Sequence, residues 1–455
     1  MTVVIAILSF VVAIGILITV HEFGHFWMAR RFHVRVLRFS LGFGPPFWHR
    51  RFGTVRGDPW ELALAPIPLG GYVKMLDGRE GPIPAGEETH AFDHQSISKR
   101  SLIVLAGPLT NLIFAVLALA VVFGVGFPTV RPILGRVPPG SYAARAHLHS
   151  GDVILAVNGH ASANWGAVAL DLVGGLMHSH VIRIRYQSRK GSVRTSFMHI
   201  QNRRSFTVPG HLLKRLGLKP GIPAFPAVIR KVLPNSPAAS AGVEPGDRIL
   251  SIAGLKVSDF HQLARYIAHH ANARVQLVWQ RQGRIFDRLL ILGVHQVQGH
   301  RVGFLGVEAA LPKNFEKRFV VQIRDSPLHA LVHAFHYTVR VSLLTLSLLY
   351  HMLIGQASLR NISGPIRIAQ YAGATAQSGW ISFLSFLAIV SISLGLFNLL
   401  PIPILDGGHL LYYVIEVLRR KPLSARAEWI GQQIGISLLV LVMGLAFYND
   451  LAHLF

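Results

Sequence analysis

The chain has 455 residues, a formal net charge of +24, 51% hydrophobic and 15% charged residues, and no cysteine. So apolar a composition predicts that much of the surface faces lipid. The missing cysteines exclude disulfides and thiolate metal sites, and leave His and carboxylate as metal ligands. Lys and Arg are dispersed through loops without a long basic run, so no nucleic-acid partner is expected. A lipid bilayer with anionic headgroups suits the charge better.

An apolar run from about Val3 to Ala29 predicts a first span within residues 1–30. It ends in His21-Glu22-Phe23-Gly24-His25, an H-E-x-x-H pattern. On a helix, positions i and i+4 share a face, so His21 and His25 can grip one metal ion with Glu22 beside them as a base. Ionisable residues at membrane depth are costly and point to function. The bland alternative is a helix end whose polar residues reach water. Arg30, Arg31, Arg35 and Arg38 follow and place this end toward the cytoplasm. No small-residue cleavage site follows the run, which argues against a removable signal peptide.

Residues 31–100 are predicted to form a cytoplasmic-side loop with a membrane-associated β-hairpin. Phe39–Pro46 holds Gly42 and Gly44, and Leu69-Gly-Gly-Tyr-Val-Lys-Met75 holds Gly70 and Gly71. Open strands cannot face lipid, so these must pack on protein or line a cavity. An ordinary loop is the alternative. A second span is predicted within 101–128. Its Ala106-Gly-Pro-Leu-Thr-Asn111 has the small and polar residues of close helix packing. Asn111 either supports the site from a neighbouring helix or ties helices together. Two crossings put the following residues outside the cytoplasm.

An internal repeat follows at a spacing of 95 residues. It aligns Val137–Gly159 with Val232–Gly254, with Ser141 on Ser236, Asp152 on Asp247 and Gly159 on Gly254. A short helix, a Gly-Asp turn and an apolar strand recur in order. This looks like tandem PDZ domains, at 130–210 and 222–310. Domains of that kind bind extended peptides by strand addition, although two mere spacers is the plainer alternative.

Residues 326–372 are predicted as an amphipathic helix lying on the membrane, followed by a linker. A further span is the alternative, but it would invert the later loop charges. A third span within 380–418 is broken by Pro401, Pro403 and Asp406-Gly407-Gly408, and a fourth lies within 430–450. Two histidines leave a catalytic zinc short of a ligand. Asp406 is the acidic residue between Asp325 and Glu416, at a depth matching that of His21 and His25. It either completes the site or caps the helix restarting at Leu410. Asn398 sits two turns upstream on nearly the same face, to hold substrate or to join helices. His49 and His409 are taken as non-ligands.

HEFGH in a first span, the tandem insert, and Asn398-Leu-Leu-Pro-Ile-Pro-Ile-Leu-Asp-Gly-Gly408 in a late span together resemble the site-2 protease family of intramembrane zinc metalloproteases. The likeness covers essentially the whole chain, including Ser363-Gly-Pro-Ile366, with no departure at a catalytic position. Tyr142 stands where the second repeat has Pro237, which leaves the first groove's specificity open. The resemblance implies a multi-pass α-helical membrane protein of about four transmembrane helices, with two inserted PDZ-like α+β domains. It implies one Zn2+ per chain on His21, His25 and Asp406, and Glu22 as the base that activates water. Asn398 would position substrate, and the Gly42/Gly44 and Gly70/Gly71 segments would guide it as a strand. Substrates of the family are single-span membrane proteins already shortened by another protease. In the bacterial members of this pattern they are anti-sigma factors and remnant signal peptides. The resemblance also implies a monomer in the bacterial inner membrane, periplasmic PDZ domains acting as a size filter, and an active site near the cytoplasmic side. Two other classes remain to be separated from it, a metal-ion carrier and an inactive PDZ scaffold.

Overall fold

A computed structural model describes residues 2–53, 59–201, 212–221, 225–297, 300–310, 319–356, 358–359 and 362–454. The ends of both predicted repeat domains (202–210 and 222–224) and part of the linker (360–361) lie outside the described residues.

Among the described residues, four helices are long and apolar enough to cross a membrane: Val3–Arg31, Ile97–Val125, Trp380–Asn398 and Arg426–Ala452. The first, α1 (Thr2–Arg31), buries Ala13, Leu17, His21, His25 and Ala29, one side chain per turn, while Val4, Leu8, Val12 and Trp27 stay exposed. The apolar surface on one side of α1 therefore suits lipid, and the five-residue row suits neighbouring helices. Leu17 is wholly buried, so Leu17→Ala would cost roughly 2–5 kcal/mol.

The loop after α1 folds into a four-stranded sheet of β1 (Val36–Phe43), β2 (Trp48–Phe52), β3 (Trp60–Leu64) and β4 (Ile67–Met75), in the order β2-β3-β1-β4. β2 and β3 make a hairpin, β3 runs parallel to β1, and β4 pairs antiparallel with β1 at the sheet edge. Residues 69–75 thus form one strand. Gly42 and Gly44 have φ of 96° and 100°, and at Gly42 a side chain would run into the Ala65 carbonyl.

The second apolar helix, α2 (Ile97–Val125), carries Pro108 in its interior and packs on both α1 and the third span. From its end the chain enters β5 (Phe127–Val130). It returns nearly two hundred residues later through β18 (Val320–Ile323), and the two strands pair antiparallel from Phe127↔Ile323 to Val130↔Val320. The repeat region therefore hangs on a two-stranded neck.

Between the neck strands the two repeat copies form two units. The first holds α3 (Tyr142–Arg145), β6 (Val153–Val157), β7 (His160–Ala161), α4 (Trp165–His178), β8 (Val181–Gln187) and β9 (Val193–His199). A short α5 (Leu212–Leu216) and β10 (Ile229–Val232) follow. The second holds α6 (Pro237–Ser240), β11 (Arg248–Ile252), β12 (Leu255–Lys256), α7 (Phe260–His269), β13 (Arg274–Arg281) and β14 (Arg284–Ile291), then β15 (Gly293–Val297), β16 (His300–Phe304) and β17 (Val307–Ala309). Their sheets run β7-β6-β8-β9 and β12-β11-β13-β14, the same order. Ser141 and Ser236 cap the equivalent short helices by accepting from Ala144 N–H and Ala239 N–H. Strict in-and-out alternation along β8 buries Ile182, Ile184 and Tyr186.

After the neck, α8 (Pro327–Leu353) lays Ala330 and Ala334 against α2. Small side chains allow that approach. Further along α8, Arg340 meets the buried Asp171 of α4, which ties the first unit to this helix. A shorter helix, α9 (Pro365–Gln377), leads to α10 (Trp380–Asn398), α11 (Asp406–Arg419) and α12 (Ala425–Leu454). Near the end of α12, Asp450 accepts from the backbone N–H groups of Gly364, Ile366 and Arg367, which anchors the start of α9.

Candidate metal centre

α1, α2 and the α10–α11 break meet at one point. His21, His25 and Asp406 offer ligand atoms all within 4.8 Å of one another, the one such cluster among the described residues. The two imidazole Nε2 atoms are 3.3 Å apart. Asp406 Oδ2 lies 3.1 Å from His21 Nε2 and 3.6 Å from His25 Nε2.

Small residues make this convergence possible. Any side chain at Gly24 would strike Thr110 and the Ala106 carbonyl, so α1 and α2 touch backbone to backbone there. At Gly107 a Cβ would stand 2.2 Å from His25 Nε2, so the His25 ring occupies the space glycine leaves. His25 Nδ1 lies 2.9 Å from the Ile103 carbonyl, to which it donates, and its Nε2 is left for a metal. Between α10 and α11 the chain turns through Pro401–Leu405, where Ile404 takes a φ of 107°. Gly407 and Gly408 lie against the carbonyls of Leu399, Leu400 and Ile402, too close for a side chain.

Leu405 holds the N-cap position of α11 and Asp406 is the first residue inside the helix, so Asp406 is not the capping residue. Its Oδ2 is buried and, among the described residues, meets no donor at hydrogen-bonding geometry. A buried carboxylate oxygen without a donor is expensive, and a cation removes that cost. Two imidazoles and one carboxylate are the donor set of catalytic zinc sites. The residues present therefore fit the metal.

Glu22 is buried beside this cluster, under the edge strand β4. A Cβ at Gly71 would come within 3.2 Å of Glu22 Cγ, so the glycine lets the strand lie on the carboxylate side chain. Gly71 pairs with Leu41, and Gly70 is covered by the Phe43 ring. Gly42 lies in the irregular last part of the same β1–β4 pair, and Gly44 follows directly after β1. Asn398 ends α10 with its Nδ2 3.4 Å from His21 Nε2, and so stands at the metal-facing edge of that ring. His49 is exposed on β2, and His409 stacks edge-on with Tyr412 outside the ligand cluster. Sequence reasoning marked the Ala106–Asn111 segment for close helix packing, but it did not single out Gly24, the Ile103 carbonyl or the place of Gly107 against His25. Glycine inside H-E-x-x-H and glycine before Pro108 were the available signal, but only the helix crossing shows that they face each other.

These features define a metalloprotease of the membrane. The family model described as peptidase family M50 matches residues 9–442, and the chain belongs to that family, the site-2 proteases. It is a zinc metalloprotease. It is 39% identical over 452 residues to the "Regulator of sigma-E protease RseP" of Escherichia coli, with 98% of each chain covered. It is similarly related to the "Regulator of sigma E protease" of Haemophilus influenzae, at 37% identity over 452 residues and 98% of each chain.

Proposed function

We propose that this chain cuts single-span membrane proteins within the bilayer, using His21, His25 and Asp406 to hold one zinc ion and Glu22 as general base. The observation that carries the reading is the buried, donorless Oδ2 of Asp406 facing two imidazole nitrogens from another span. A bound zinc supplies Lewis acidity to a water molecule and to the scissile carbonyl. Glu22 takes the proton of the attacking water and returns it to the leaving amine. Its place between the cluster and β4 puts it beside any peptide lying along that strand.

A substrate helix shields its peptide bonds with its own hydrogen bonds and must unwind before attack. The β4 edge, with Gly70 and Gly71, supplies replacement bonds by strand addition, and the Gly42/Gly44 turn shapes its far end. Asn398 holds the unwound substrate near the metal. The two repeat units are PDZ-like domains on the periplasmic face of a bacterial inner membrane. They admit only substrates that another protease has already shortened, such as an anti-sigma factor or a remnant signal peptide. Arg30 and Arg31 in the last turn of α1, with Arg35 and Arg38 after it, support a cytoplasmic placement of the site.

Glu22→Gln in the full chain tests the chemistry. It keeps zinc and loses cleavage of a single-span test substrate. Normal cleavage by Glu22→Gln would sink the proposal, and retained transport of zinc without any cleavage by the native protein would favour a carrier. For the filter, one substrate is compared with and without its periplasmic domain. Faster cutting of the shortened form is expected, and equal rates would remove the filter.

A further inference from the structure

We infer that Asn111 is a positioning residue that fixes His21 for the metal, by accepting a hydrogen bond from its Nδ1–H through the side-chain oxygen. This rests on the reading of His21 as a zinc ligand. Asn111 is completely buried on α2, at the centre of the helix packing. Its amide nitrogen faces His21 Nδ1 at 3.1 Å, while its Oδ1 has no partner among the described residues. On the other side of the ring, the Asn398 amide nitrogen faces Nε2 at 3.4 Å. A neutral imidazole has one donor and one acceptor nitrogen, so two amide donors cannot both be matched by it. Once Nε2 gives its lone pair to a metal, Nδ1 carries the proton and needs an acceptor. A half-turn of the Asn111 amide exchanges two groups of nearly equal size. It brings the orphaned Oδ1 onto that N–H and satisfies both groups at once.

The carrier of this amide is itself held. Ser391 of α10 is fully buried and donates to the Asn111 carbonyl at 2.8 Å. Gly395, one turn on, packs against Asn111 Cβ and the Pro108 carbonyl. α10 thus locks Asn111, and Asn111 locks His21. His25 has its counterpart in the Ile103 carbonyl. α2 therefore orients both histidines of α1, once through its backbone and once through a side chain.

The test is zinc affinity of the detergent-solubilised full chain, measured by competition with a chelator, for N111L and N111D. N111L keeps the shape and removes the acceptor, and is expected to weaken zinc binding ten- to a hundredfold. N111D keeps an acceptor and is expected to hold zinc at least as tightly as the native chain. Metal-free melting is measured alongside, and a purely structural role would lower it without separating the two variants' affinities. N111L within twofold of native affinity, or N111D losing as much as N111L, overturns the inference. If N111L does not fold, a tenfold loss in N111D alone overturns it, and native-like affinity in N111D supports it. A native chain that takes up no zinc, with His21→Ala indistinguishable from it, would instead sink the metal-site reading itself.

Discussion

Asp152 and Asp247 of the repeat units and Asp406 at the α10–α11 break are treated in opposite ways. In the first unit Asp152 accepts from His149 N–H at 2.8 Å and from Arg189 N–H at 3.3 Å. In the second, the equivalent Asp247 accepts from Glu244 N–H and takes both prongs of the Arg281 guanidinium at 2.8 Å. Asp450 takes three backbone N–H groups. Each of these three acids has a donor on both carboxylate oxygens. Asp406 has a buried oxygen with no donor, and its neighbours are two imidazole nitrogens from another helix. A carboxylate that the fold itself completes is a strut, and one left short is a place for a cation.

Substitutions should separate the two kinds. The largest effect is expected at Asp406. Asp406→Asn should lose zinc by more than the ten- to hundredfold typical of an outer partner, and metal-free melting should hold or rise, because an uncompensated buried charge is gone. A clear fall in metal-free stability would make Asp406 a strut like the others. Asp247→Ala should do the reverse. It removes charge-assisted bonds of roughly 1.5–3 kcal/mol, seen as faster amide exchange in β11 and β13, with zinc content unchanged. Asp450→Ala should cost a similar or smaller amount and should loosen the start of α9, read as exchange of the Gly364, Ile366 and Arg367 amides.

The smallest effect belongs to Asp259, the N-cap of α7, which accepts from Gln262 N–H at 2.9 Å. Burial pushes its carboxyl up, but the Gln262 N–H, the Ser258 hydroxyl and the His261 backbone outweigh that and leave it below the ordinary carboxylate value. A lowered folded value means that its stabilisation is present above the ordinary aspartate range and fades as pH falls through the folded value. Asp259→Ala should cost about 1 kcal/mol at neutral pH, with the gap to native closing below about pH 4 in acid-unfolding curves. A gap that is constant with pH would show that the cap does not act through its charge.

Legibility followed the range over which each signal acts. The apolar spans stand out because lipid imposes one long uniform pattern. The H-E-x-x-H pair is compact because one helix turn brings its histidines together. The repeat is visible because the same turns recur at a fixed spacing. Pairing across distance was not legible. The parallel match of β3 to β1 joins segments separated by a hairpin strand, and β5 finds β18 only across the whole insert. Residues 326–356 were ambiguous because histidines dilute the apolar pattern of α8. In the folded chain the small residues Ala330 and Ala334 decide where it packs, against α2. For Asn111, sequence left helix tie and site support equally open, and only the crossing of α1 and α2 puts its amide on His21.

The neck between α2 and α8 has one more consequence. Because β5 and β18 lie side by side, with Asp325 N–H reaching back to the Phe123 carbonyl, the insert leaves and re-enters the helical body at a single point. Such an insert is a cassette. Its length and internal design can drift, or be replaced by grafting, while the helix ends stay the same few ångströms apart, since lengthening a closed loop adds little entropic cost. The helical body and the insert can therefore evolve as largely separate parts, joined by four paired residues on each side of the neck and by the Arg340–Asp171 contact.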